Sequence, residues 1–167
     1  NEDLSKVATD ITIRIDDVTA GEYIKVASGA TIDYRDADGH VMDLMSSSTV
    51  GAGGDVVNVI ANNATVAVTN GSAGSDGFST INISTATVAS TVTAIAGSDA
   101  INISGAKAMT LAATSTAGTV TNNGVTATYK IDGTNDVKIA GSATATDTID
   151  VTLVAGVDLS NNTFSNV

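Results

Sequence analysis

The sequence predicts an all-β fold: an antiparallel sandwich or barrel of about ten to twelve short strands. Three observations predict it. Apolar and polar residues alternate along short segments, as in half-buried strands. Gly, Asn and Asp bound those segments at regular spacing. No segment carries a 3.6-residue apolar stripe over three turns. Composition agrees. The 167 residues include no Cys, Pro or Trp, 2 Phe and 3 Tyr, so the 43% hydrophobic content is mostly Ala, Val and Ile. Such small and β-branched side chains suit layered sheets better than helix bundles.

The elements follow in order. Residues 1–9 read as one helical turn or an extended arm. DITIRIDDV then puts Ile11, Ile13 and Ile15 on one face and Thr12, Arg14 and Asp16 on the other. EYIKVAS repeats the pattern. ATIDYRDADGHVMDLMS reads as a hairpin around the DADG turn, VVNVIA with ATVAVTN as a second, and VTATYKIDGTNDVKIAG as a third turning at Asp132–Asn135. FSTINISTATVASTVTAIAG and AINISGAKAMTLAATSTAG share INIS, with starts 20 residues apart, and read as a repeated strand pair. Ala106–Thr114 is the best helical segment, weakened by its threonines. DTIDVTLVAGVDLSNNTFSNV supplies a last strand or two. The whole reads as one domain over 1–167, with 1–18 a candidate assembly arm and the Ser/Gly-rich loop near 46–54 a candidate subregion boundary. The chain begins at Asn1, with no apolar run near 18 residues, which points to a removed leader or a piece of a longer protein.

Charge narrows the function. With 18 acidic against 7 basic residues the net charge is -11. That surface repels phosphate backbones and anionic leaflets, so neither nucleic-acid binding nor membrane insertion is expected. It accommodates divalent cations. Catalysis finds little support. The only histidine, His40, flanks a hairpin turn and reads as a solvated surface residue. A Ser–His–Asp triad would have to use it, thiol chemistry has no Cys, and a sugar cleft would need aromatics that are scarce here.

Calcium is the sharpest positive expectation, because it takes six to eight oxygens and Asp-rich loops supply them. Asp33, Asp36, Asp38 and Asp43 surround the first hairpin. Asp76 lies in GSAGSDGFS and Asp99 in the shorter echo GSDAIN. Asp132 and Asp136 share DGTND, and Asp147 and Asp150 lie near Asp158. Of these, Asp36, Asp38, Asp76, Asp99, Asp132 and Asp136 are the candidate ligands. The plainer reading of all of them is turn chemistry. Asn63, Asn70, Asn82, Asn102 and Asn161 each begin an Asn-x-Ser/Thr sequon, where about three are expected at random in so Ser/Thr-rich a chain.

The first strand carries an assembly expectation. Ile11, Ile13 and Ile15 would anchor it in a neighbour's sheet by β-strand addition, against the plainer reading of an ordinary first strand. With no Pro and five Lys, the edges are weakly defended against pairing.

Gly71, Gly74, Asp76 and Phe78 resemble the calcium-binding nonapeptide of the RTX repeats, with Ser72 in place of its second glycine. The second copy lies far more than nine residues away, so a parallel β-roll is excluded. Over its whole length the Thr/Ala/Gly/Val/Asn/Asp composition resembles prokaryotic surface-layer proteins, the outer domains of flagellins and donor-strand filament subunits. That resemblance implies an extracellular homopolymer, often calcium-dependent, though flagellin's long terminal helices are absent. The alternative is an adhesin or interaction module of a larger secreted protein, binding through the loops at Gly71–Gly77 and Asp132–Asp136.

Overall fold

A computed structural model describes residues 1–38, 40–47, 54–71, 77–93, 100–112, 119–131, 137–152, 160 and 162–167. Within them every regular element is a strand, and none is a helix. The sixteen strands are β1 Glu2–Leu4, β2 Thr12–Ile15, β3 Tyr23–Val26, β4 Thr31–Tyr34, β5 Val41–Ser46, β6 Val56–Ala61, β7 Thr65–Asn70, β8 Thr80–Thr85, β9 Ser90–Thr93, β10 Ala100–Gly105, β11 Met109–Ala112, β12 Thr119–Asn122, β13 Ala127–Ile131, β14 Lys138–Ala140, β15 Asp147–Val151 and β16 Thr163–Ser165. No helix among the described residues is long and apolar enough to cross a membrane.

The all-β expectation holds, but the antiparallel sandwich or barrel does not. Odd-numbered strands form one eight-stranded sheet, even-numbered strands the other, and every pairing is parallel. The chain is a β-solenoid with two strands to each coil. Successive coils differ in length. Partners are 18 residues apart where Met109 lies beside Ala127 and 27 where Ile32 lies beside Val59.

None of the three hairpins read from the sequence forms. β4 and β5 belong to different sheets, as do β6 and β7, and β13 and β14. The segment 106–114 is no helix over its described part: Met109–Ala112 is β11, because alternating burial of Met109 and Leu111 outweighs weak helix propensity. The first residues are no free arm. β1 pairs with β3 and β2 with β4, so the chain's start completes its own two sheets. The exclusion of a parallel coil also fails, because long coils of unequal length replace the nonapeptide step.

Alternation explains the core. Inward side chains stack from coil to coil into columns between the sheets, and outward ones stack on the two faces. One column of the even sheet runs Val57, Ile81, Ile101, Val120, Ile139, Phe164. One step before the paired register, Ala30 continues this column under Val57, while Ile11 stands in the turn before β2, its amide donating to the Ala8 carbonyl at 3.0 Å. A second column runs Ile13, Ile32, Val59, Ile83, Ile103. Burying each such Ile fully contributes about 1.5–3 kcal/mol.

Two inward positions, Asn70 and Gly105, are fixed by close contacts. Asn70 donates from Nδ2 to the Phe78 carbonyl at 2.8 Å and accepts from the Phe78 amide at 2.6 Å, acting as a strand partner where no strand lies. Gly105 follows the inward stack below Thr85 with φ of +129°. A Cβ there would collide with the Thr85 hydroxyl and backbone.

Candidate metal centre

Among the described residues, the coil geometry brings together one group of side chains able to hold a metal ion. Asp17 stands two residues after Ile15, and Asp36 two residues after Tyr34. Ile15 and Tyr34 are register partners, so both aspartates leave the even sheet at the same corner on consecutive coils. Asp38 and His40 follow on the link to β5. One ligand atom from each of Asp17, Asp36, Asp38 and His40 lies within 4.8 Å of the others.

Asp36 organises the corner. It is buried, and its Oδ1 accepts from the Asp38 amide at 3.0 Å while Oδ2 accepts from the His40 amide at 3.0 Å. This is the turn chemistry by which Asp satisfies a bend. The Tyr34 hydroxyl donates to the His40 carbonyl at 2.7 Å and lies 3.3 Å from Asp36 Oδ2. Burial first, then the Asp36 charge, pushes the Tyr34 hydroxyl well above the ordinary tyrosine range. The next coil adds Asn63, whose side-chain amide donates to the Asp36 carbonyl.

His40 is not the free surface residue its turn suggests. Its ring is 39% exposed, but Nδ1 points inward, 3.5 Å from Asp36 Oδ2, and has no hydrogen-bond partner. Three carboxylates and an imidazole nitrogen can hold a divalent ion. Oxygen donors suit calcium or magnesium, and the nitrogen also admits zinc or manganese.

The other sequence candidates divide. Asp33 and Asp43 do not join this group. Asp33 points outward from β4, paired with Arg35 Nη2 at 2.7 Å and accepting from Asn62 at 3.0 Å. Its burial raises its pKa, but Arg35 and Asn62 outweigh that and hold it below the usual carboxylate value. Asp43 lies in the other sheet and accepts from Thr69. Asp76, Asp99, Asp132 and Asp136 lie outside the described residues, as does most of the RTX-like segment. Asp147 is structural: Oδ1 accepts from Asn122 at 2.7 Å and Tyr129 at 3.1 Å, and Oδ2 from the Ser142 amide at 2.7 Å. Asp150 is exposed beside Lys130 in the ladder, and Asp158 lies outside the described residues.

Among the sequons, Asn70 is buried and Asn63 is tied to Asp36. Asn82 and Asn102 belong to an outward ladder in which Asn102 donates to Asn82 at 2.9 Å and Asn82 to Asn58 at 2.8 Å. Asn161 lies outside the described residues. Of the three isoleucines, Ile13 and Ile15 pack against the core and Ile11 is 54% exposed. Asp17 is the residue sequence reasoning missed. Its signal was the shared offset from Ile15 and Tyr34, which only parallel register reveals.

Comparison of the chain with family models, with curated proteins and with solved structures finds no match in any of the three.

Proposed function

We propose that this chain is a non-catalytic structural subunit of an extracellular filament, tube or surface lattice, lengthening by β-strand addition to copies of itself. One observation carries the reading. Among the described residues, the solenoid has two parallel sheets whose end strands, β1 and β2 at one end and β15 and β16 at the other, each have a single neighbour. Their outer backbone groups are hydrogen-bonding edges of the kind that recruit another strand. The acidic balance accommodates divalent cations at such joints.

Calcium is the finer part of the proposal. At net charge -11, subunits repel over about 8–10 Å at physiological salt, and a divalent ion in the Asp17–Asp36–Asp38 corner relieves that repulsion near the first coil. Electron microscopy of the purified chain with and without millimolar calcium tests both parts. Ordered polymer is the expected result, looser after chelation. Dispersed monomer under both conditions would sink the assembly reading. Polymer indifferent to chelator at low salt would remove calcium alone.

A further inference from the structure

We infer that a second copy of this chain stacks head to tail on the end of the solenoid, β16 of one copy beside β2 of the next, with Phe164 seated on Ile11. The inference rests on the assembly reading and specifies its joint.

Three observations converge on it. First, Phe164 ends the inward column at one end of the even sheet, and Ile11 is the residue just before β2 at the other. Phe164 lies over Ile139 and Ile11 stands one step before the Thr12–Thr31 pair, and Ile11 is 54% and Phe164 40% exposed. Interior members of that column are buried because a strand covers each on both sides, and Phe164 lacks one cover. A shallow, mostly apolar recess bordered by Lys138, Ile139 and Phe164 lies at the same end.

Second, polarity selects the partner. All strands of a sheet run the same way, so only a head-to-tail copy extends the ladder in parallel register. With the column kept continuous, Phe164 meets Ile11 and Ser165 meets Thr12. The outward position then stays a run of small hydroxyl side chains, as where Thr12 lies beside Thr31. Such contacts are heterologous and repeat without closing, so they yield a filament, not a dimer.

Third, two of the usual blocks, Pro and Lys, are missing from the end strands, although β2, the strand in the joint, carries Arg14. EDL, TIRI, DTIDV and TFS contain neither Pro nor Lys. Acidic residues do stand at both ends, among them Glu2, Asp3 and Asp150, so the stack strengthens as salt screens them.

The absence of Cys gives a clean test. Neighbouring strands lie about 4.8 Å apart, within the roughly 4.4–6.8 Å Cα spacing that a disulfide spans. Ile11→Cys and Phe164→Cys are prepared separately, mixed and mildly oxidised. The expected product is a heterodimer of the two variants, several-fold above homodimer in either alone. The double variant should give a ladder of covalent oligomers. Homodimers dominating the mixture would overturn the head-to-tail joint. Polymer seen by microscopy without any Ile11–Phe164 cross-link would place assembly elsewhere and sink this joint alone. A wild-type chain that stays monomeric, with no cross-link, would sink this inference together with the assembly reading.

Discussion

Asn102 donates its side-chain amide to Asn82 at 2.9 Å, and the two stand at the same place in INIS segments 20 residues apart. Asn82 in turn donates to Asn58, and Asn58 lies 3.3 Å from the Gly29 carbonyl and 3.4 Å from that of Ala30. Each link spans one coil, so the ladder fixes the register of four consecutive coils on the outer face. Removing the middle member breaks two links at once. Asn82→Ala is expected to cost about 1–2 kcal/mol at ~0.5–1.5 kcal/mol per bond, the free amides being partly solvated. Asn58→Ala should cost less, because beyond the shared Asn82 link it loses only the longer, weaker contacts to the Gly29 and Ala30 carbonyls at 3.3 and 3.4 Å. Urea unfolding of the two variants measures the difference, and equal values would argue against a cooperative ladder.

Asn70 makes the sharper case. Its two bonds to Phe78 are buried, and Asn70→Ala leaves an amide and a carbonyl without partners in the interior. The expected loss is about 2–5 kcal/mol, since each orphaned group costs ~1–3 kcal/mol. Asn70→Asp keeps the acceptor but loses the donor, and should fall between wild type and Asn70→Ala near neutral pH. The same burial predicts that Asn70 carries no glycan in the folded chain, which peptide mass mapping of protein from its natural source would check.

How much of this was legible in the sequence depends on the kind of information. Alternation put Ile13 and Ile15 on one face, and both pack against the core, because period two reports burial directly. It says nothing about which strand lies alongside. DADG and DGTND read as hairpin turns because Asp and Gly make tight bends of any sort, including solenoid corners. The repeat of INIS held the answer. A step of 20 residues is one coil, with Ile81 beside Ile101, but on one sheet it looks the same as a duplicated strand pair. Asp17 and Asp36 were invisible as a pair for the same reason. They are distant in sequence until Ile15 and Tyr34 are placed in register.

The metal corner makes its own prediction. Asp36→Asn keeps one acceptor oxygen, for either the Asp38 or the His40 amide but not both, and removes the buried charge. Divalent-ion affinity is expected to fall at least about tenfold, in line with loss of a ligand or its close support, while the corner stays folded. Asp33→Asn is the matched control: it breaks the Arg35 pair yet leaves ion affinity unchanged. Calorimetry with calcium and with zinc reads both variants. A zinc preference lost in His40→Ala would assign the imidazole a ligand role, and equal loss in Asp33→Asn would dissolve the proposed site.

Alkaline pH should loosen the fold through two tyrosines. Tyr34 is buried against Asp36 and Tyr129 against Asp147, and both hydroxyls are held protonated well above the ordinary tyrosine range, by burial first and then by the carboxylate. The folded-state pKa exceeds the unfolded one. The contribution is therefore fully present below the unfolded value of about 10 and is lost as pH rises through the folded value. In between, the unfolded chain releases the protons and the folded chain keeps them. Stability then falls by about 1.4 kcal/mol per pH unit for each tyrosine. Tyr129→Phe cannot ionise in either state. It also drops one donor to Asp147, which still accepts from Asn122 and the Ser142 amide. The variant should start slightly less stable at neutral pH and lose stability about half as steeply above pH 10. Denaturant midpoints from pH 8 to 11 give that slope, and an unchanged slope would show that Tyr129 ionises as readily folded as unfolded.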